Sequence, residues 1–268
     1  DVVIVGGGPS GLATAIKLKQ LGKEKNKDIS VCILEKGSEI GSHILSGAVI
    51  ETKSLSELIP NWEKTDIPLK TKAKKDSFLY LTKEKSYKLP TPPQMNNHGN
   101  FIISLGKLCS WLGQYAENLG VEIYPGFAAS EILFNSDGSV SGVATNDMGI
   151  LKDGTKGPNY EPGIELLAKQ TIFSEGCRGH LGKILMNKFD LNKNNQGQTY
   201  AIGIKELWEI DPKNHNAGEI VHTTGWPLNS DTYGGSFLYH FDKNLVSIGF
   251  VVGLDYKNPY LNPYEEFQ

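Results

Sequence analysis

The feature that most limits what this chain can fold into is its opening. Val2-Val3-Ile4-Val5 is a continuous β-branched run, the mark of a strand buried on both faces. Gly6-Gly7-Gly8-Pro9-Ser10-Gly11 follows at once and fits the pattern G-x-G-x-x-G. The next residues carry Leu12, Ala15 and Ile16 on one helical face, which predicts a helix from Gly11 to Leu21. Val31-Cys32-Ile33-Leu34 predicts a second buried strand, closed by Glu35. The expected unit is βαβ.

In that unit each glycine has a separate task. Gly6 permits the tight turn, Gly8 lets the backbone approach a diphosphate, and Gly11 lets the helix pack close to the strand. The helix N-terminus then offers free N–H groups and a partial positive charge to the phosphates. Backbone donors matter here because Arg178 is the only arginine in the chain. Glu35 is placed to accept hydrogen bonds from ribose hydroxyls and would repel a 2′-phosphate, which argues against NADP. The competing reading is a glycine-rich turn that binds nothing. Strand, turn, helix, second strand and acid agree in register, and this favours a bound adenine dinucleotide.

Along the rest of the chain, residues 40–100 read as an insertion rich in Gly, Pro, Ser and Asn. Helical spacing returns from Ser104 to Leu119, followed by a strand at Val121–Tyr124. Ala128–Leu133 and Val140–Thr145 predict a hairpin around Ser136-Asp137-Gly138. Residues 149–163 read as a loop, Ile164–Ala168 and Thr171–Phe173 as strands, and 178–188 as a helix. Four antiparallel strands are expected beyond, at 200–208, 219–225, 236–240 and 246–252, in a half rich in aromatics. A domain boundary is placed near 190. A plain NAD domain continues with alternating helices and strands after its second strand. The order here instead resembles the glutathione-reductase-like FAD fold. The fold class expected is therefore α/β, a Rossmann-like FAD-binding domain with an inserted, β-rich second domain. Thr171-Ile172-Phe173-Ser174-Glu175-Gly176 resembles the strand and turn that rejoin the dinucleotide sheet near the flavin.

Composition excludes some classes. The net charge of −3 gives no electrostatic case for nucleic acid. Cys32, Cys109 and Cys177 are too dispersed for a local metal motif and too few for a disulfide framework, which points to a reducing compartment. No stretch is long and apolar enough to span a bilayer. The chain begins at Asp1 within a strand and ends at Gln268 after a Pro-rich stretch, and we expect it to be an internal piece of a longer protein.

Longer words in the sequence resemble one family. They are Ile40-Gly41-Ser42-His43-Ile44-Leu45-Ser46-Gly47-Ala48, Met95-Asn96-Asn97-His98-Gly99-Asn100, Ala144-Thr145-Asn146-Asp147 and Lys205-Glu206-Leu207-Trp208. Thr232 to His240, containing Gly234-Gly235, and Gly249 to Tyr256 complete the set. Together they are similar to electron transfer flavoprotein–ubiquinone oxidoreductase across essentially the whole chain. That resemblance implies an enzyme taking electrons from reduced electron transfer flavoprotein through FAD and a four-iron four-sulfur cluster to ubiquinone.

The site residues so implied are Gly6, Gly8, Pro9, Ser10, Gly11, Glu35, Lys36 and Gly176 for FAD, with Gly234 and Gly235 for ubiquinone. No residue is singled out as catalytic, since the cofactors carry the chemistry. Read from the residues alone, Gly234-Gly235 is more readily a bulge or bend in an antiparallel strand, and the resemblance is what favours the quinone. Residues 40–61 are implied to meet the membrane surface, with the parent protein peripheral on a mitochondrial inner or bacterial cytoplasmic membrane. Lys64, Lys70, Lys72, Lys74 and Lys75 then either meet lipid headgroups or form an ordinary solvated face. The family's cluster cysteines and late Gly-Asp motif have no counterpart here and are expected beyond Gln268. The alternatives are an NAD(P)H-dependent flavin monooxygenase or geranylgeranyl-reductase-like enzyme, and a non-catalytic FAD-binding or membrane-docking piece.

Overall fold

The computed structural model describes residues 1–45 and 47–268; Ser46, part of one of the family-like words, lies outside them. The first third runs β1 (Val2–Val5), α1 (Pro9–Glu24), β2 (Val31–Glu35), β3 (Ala48–Ile50), α2 (Lys53–Leu58), β4 (Thr71–Lys72), β5 (Lys75–Leu81) and β6 (Ser86–Leu89). The middle holds β7 (Phe101–Ile103), α3 (Leu105–Asn118), β8 (Glu122–Pro125), β9 (Ala129–Phe134), β10 (Val140–Thr145), β11 (Met148–Ile150) and β12 (Lys156–Glu161). Then come β13 (Glu165–Leu167), β14 (Gln170–Phe173), α4 (His180–Lys188), β15 (Ala201–Glu209), β16 (Glu219–Gly225), β17 (Gly234–Phe241), β18 (Leu245–Gly253) and α5 (Pro263–Phe267).

Two compact units result: residues 1–44 with 106–195, and 45–105 with 196–268. In the first, β14-β1-β2-β8 form a parallel sheet. Strand alternation sorts its apolar residues between two cores. Val3, Val5 and Leu34 pack with Ala129, Ile132 and Val143 of the β13-β10-β9 sheet and with Leu181 of α4. Ile4 and Ile33 are fully buried, as are Leu12 and Ile16 of α1. Each such side chain contributes about 1.5–3 kcal/mol of burial. α1 runs past its expected end at Leu21. Gly22 does not stop it, because the chain turns back over this buried glycine and Lys27 N–H donates to Gly22 O at 2.8 Å.

The hairpin around Ser136-Asp137-Gly138 forms as the turn chemistry predicts. Asp137 Oδ1 accepts from Ser139 N–H at 2.9 Å, and Gly138 takes φ +83°. Residues 149–163, expected as a loop, instead hold the ends of a second hairpin, β11-β12. Asp153 organises its turn in the same way, accepting from Thr155 N–H at 3.0 Å. Its strands are mostly solvated and carry no apolar alternation, so periodicity did not reveal them.

In the second unit, six strands run in the order β15-β18-β17-β16-β5-β6. β5 pairs in parallel with β16, Lys75 opposite Glu219 through Leu81 opposite Gly225. Residues 45–105 interrupt the first unit in sequence but contribute two strands to this sheet, plus the three-stranded β3-β7-β4. They are thus an integral part of the β-rich unit, not a loose excursion from the dinucleotide fold. Ala73, Ile102, Ile220 and Phe241 form a core there, with Val49, Tyr239 and Leu245 packed against it.

Candidate functional site

The glycine fingerprint lies where β1 hands over to α1, and its geometry is dictated by close backbone approaches. Gly6 has φ +106°, and a Cβ there would lie 2.4 Å from Ser174 O. A Cβ on Gly11 would lie 2.0 Å from Gly6 O and 3.2 Å from Ile4 Cγ2. These two glycines are required by the protein itself. Gly8 differs: its backbone is extended (φ −81°, ψ −176°), and a Cβ there would meet nothing within 4 Å. The space beside Gly8 is open. So is that beside Gly176, which has φ +82°.

Gly8 is the N-cap of α1 and Pro9 occupies the first turn. No side chain caps this end, and no acidic residue sits in the first turn. The first N–H groups of a helix have no intrahelical acceptor. Here no carboxylate within the first turn competes for them, which suits an anion site.

Glu35, at the end of β2, is part of the turn's scaffold. Its Oε2 accepts from Gly7 N–H at 2.8 Å and its Oε1 from Gly37 N–H at 2.6 Å. One carboxylate therefore ties the fingerprint loop to the exit of the second strand. It still has lone pairs for further donors.

A cleft of about 610 Å³ opens at this point. Gly6, Gly8, Pro9, Ser10, Glu35, Lys36 and Gly176 all line it. Of the FAD set expected from sequence, only Gly11 does not, lying buried beneath the turn. His43 and Ile44 reach the cleft from the loop after β2. Two contributions escaped sequence reasoning. Phe127, Ala128 and Ala129 reach it from the start of β9. Arg178, the sole arginine, also lines it. Beside it, Glu175 accepts from Gly182 N–H at 2.7 Å and Leu181 N–H at 3.3 Å, gripping the start of α4. An acid a few residues ahead of a helix was the available signal for that contact.

Two of the three thiols of this unit are held protonated. Burial pushes Cys32 and Cys109 each up to about 11, with Glu122 and Glu35 respectively adding to the shift. Among the described residues, no three His, Cys, Asp or Glu side chains are grouped to hold a metal ion.

Gly234 and Gly235 lie in the second unit, as the first residues of β17 opposite Val252 and Val251. A Cβ on Gly234 would meet Val251 O at 2.3 Å and Leu228 Cδ1 at 2.5 Å; one on Gly235 would meet Thr223 O at 2.2 Å. Strand packing alone therefore demands glycine at both. Any ligand contact here would be with main-chain atoms. Within the stretch 40–61, Leu55 and Ile59 are buried in the protein, while Leu45 is exposed. No helix among the described residues is long and apolar enough to cross a membrane.

Comparison with known proteins bears on both units. Residues 4–64 match the family model described as NAD(P)-binding Rossmann-like domain, and residues 200–268 match that described as ETF-QO, ubiquinone-binding. Among solved structures, a geranylgeranyl bacteriochlorophyll reductase-like protein from Thermoplasma acidophilum superimposes with a TM-score of 0.66 at 15% identity, covering 100% of this chain and 60% of that one. At that identity it establishes the fold. The mitochondrial electron transfer flavoprotein–ubiquinone oxidoreductase of Dictyostelium discoideum is 58% identical over 268 residues, and that of Homo sapiens 56% over 274. Each match covers 100% of this chain and 44% of the relative, so the chain spans a little under half the length of these proteins. Matched along its entire length at this level of identity, the chain resembles a segment of the electron transfer flavoprotein–ubiquinone oxidoreductases.

Proposed function

We propose that the protein carrying this chain takes electrons from reduced electron transfer flavoprotein and passes them, through FAD and a four-iron four-sulfur cluster, to ubiquinone. The observation that carries the reading is identity of 53–58% over the whole chain to proteins of that name, joined to the ubiquinone-binding match over residues 200–268. FAD belongs in the cleft at the fingerprint. The open space beside Gly8 and Gly176 admits a ligand against bare main chain, and the start of α1 faces it with uncapped donors. Gly8, Ser10 and the first turn of α1 would hold the diphosphate. Glu35 would accept from the ribose hydroxyls with the lone pairs its loop contacts leave free. Gly6, Gly11 and Pro9 shape the turn, and Lys36, Gly176 and Arg178 border the remaining length of the ligand.

When bound, the flavin supplies the one-electron chemistry; the chain's own residues position it and keep its phosphates neutralised by amide dipoles. Ubiquinone would lie against the main chain of Gly234 and Gly235. The cluster would be held by residues outside this chain. The relatives named above are mitochondrial, which supports a mitochondrial setting; there the protein would sit on the inner membrane, with residues 40–61 toward its surface. The monooxygenase and reductase readings have only fold likeness behind them.

The test is to purify the full-length protein, measure bound FAD, and supply reduced electron transfer flavoprotein with a short-chain ubiquinone. Stoichiometric FAD and quinol formation are expected. Absence of quinol formation, or rapid bleaching of the flavin by NADPH, would reject the assignment.

A further inference from the structure

The six-stranded sheet ends on a strand that nothing guards. β15 lies at one margin and pairs with β18, Ala201 opposite Gly253 through Glu209 opposite Leu245. At the two ends of that register, Leu254 N–H donates to Tyr200 O at 2.8 Å and Ile210 N–H donates to Asn244 O at 2.9 Å. Hydrogen-bonded and non-hydrogen-bonded pairs alternate along an antiparallel ladder. The even-numbered residues of β15 therefore bond to β18. Ala201, Gly203, Lys205, Leu207 and Glu209 turn their N–H and C=O groups outward, and among the described residues no main chain meets them.

A sheet ordinarily protects such a row with a short strand, a proline, a bulge or an outstretched lysine. The opposite margin does so: β6 is four residues long and carries Lys88. β15 runs for nine residues without proline, and its register is unbroken. Its one lysine, Lys205, is drawn aside and donates to Gly47 O at 2.9 Å. Glu206 is occupied by Trp208 Nε1 at 2.8 Å. Large apolar side chains remain exposed on both faces, Ile202 at 42% and Trp208 at 55% on one and Leu207 at 41% on the other. An edge of this length with apolar flanks is a template for one more strand.

Two observations choose the occupant. α5 packs against β18 and β15, with Phe267 on the cluster of Leu228, Phe250 and Val252. The polypeptide is thus delivered beside this margin. The relatives' matched region is 44% of their length, which leaves more than half of each outside it.

We propose that a strand of the parent chain beyond Gln268 pairs with β15 and makes the sheet seven-stranded. Its main chain bonds to the outward groups of Ala201, Gly203, Lys205, Leu207 and Glu209. Its apolar side chains cover Ile202 and Trp208 on one face and Leu207 on the other. β15 then becomes an interior strand of the region that matches the ubiquinone-binding family model, and that unit is complete only with chain from outside residues 1–268.

The experiment uses the full-length, FAD-loaded protein and reads hydrogen exchange at single amides. The outward N–H groups of Gly203, Lys205 and Leu207 are expected to exchange about 100-fold or more slowly than in the unfolded chain. That protection should survive dilution and need no added electron transfer flavoprotein. In a second measurement benzoylphenylalanine replaces Leu207, and after irradiation the attached peptide is identified by mass spectrometry. It is expected to come from the same chain, C-terminal to residue 268. Unprotected exchange at the three amides would overturn the proposal. Protection lost on dilution would assign the edge to a second copy, and protection gained only with the flavoprotein would assign it to that partner; either result overturns it too. So does a crosslink to a peptide that precedes Asp1.

Discussion

Gly8→Ala separates what the protein needs from what a ligand needs. A methyl at residue 8 meets nothing within 4 Å, and its backbone angles are ordinary for an L-residue. Lower chain entropy in the unfolded state favours the variant, and the poorer N-cap opposes it, so the net change is within about 1 kcal/mol of zero. The same methyl projects into the cleft at the start of α1. A diphosphate displaced by it loses one charge-assisted amide contact, about 1.5–3 kcal/mol. Since about 1.4 kcal/mol is tenfold in affinity, FAD should bind about 10- to 150-fold more weakly. The assay is titration of the deflavinated full-length protein with FAD, followed by flavin fluorescence, beside a thermal melt without FAD. Gly11→Ala is the control of opposite character. Its methyl would lie 2.0 Å from Gly6 O, so the melt itself should collapse. Wild-type FAD affinity in Gly8→Ala would refute the placement of the diphosphate on this turn.

Gly234→Ala and Gly235→Ala should each cost about 1–3 kcal/mol of stability through overpacking against Val251 O and Thr223 O, visible as a lowered Tm whether or not quinone is present; unchanged melting would show the strand can yield there. His222 and His240 are both less basic in the folded state, chiefly through burial. The unfolded chain therefore takes up protons first, so their contribution is complete above pH 6.5 and is lost as pH falls through the lower folded-state values. Urea midpoints from pH 8 to 5 should decline less steeply in His222→Gln than in wild type, and identical slopes would refute this. Cys177 is exposed, whereas Cys109 is buried and Cys32 partly so, both with raised pKa. Within residues 1–268, a thiol reagent at pH 8 should label Cys177 ahead of the other two, as read by peptide mapping; equal labelling of all three would contradict their burial.

The fingerprint was legible because all its determinants are local. A buried strand, three glycines at fixed spacing, a helical face and an acid fall within the first 35 residues. The β9-β10 turn was legible for the same reason, through Asp137 and Gly138. The β11-β12 hairpin was not, because its strands are solvated and only Asp153 marks the turn. Nor was the allegiance of residues 45–105. The parallel pairing of β5 with β16 depends on a partner far along the chain, which no window of local pattern contains. In the cleft, Glu35 was read as a ligand contact, yet its bonds to Gly7 and Gly37 make it a structural tie as well. Arg178 arrives there only because β14 returns the chain alongside β1, a matter of topology.

That parallel pairing has a consequence for synthesis. Lys75 and Glu219 are 144 residues apart. At about 5–20 residues per second, β5 leaves the ribosome roughly 7–30 seconds before its neighbour exists. β6 can zip onto one margin at once, through Phe78 opposite Leu89 and Tyr80 opposite Tyr87. The other margin stays bare through that interval, a row of unpaired amides and carbonyls that invites wrong partners. The nascent β-rich unit should therefore be most dependent on chaperones between the emergence of residue 81 and that of residue 225.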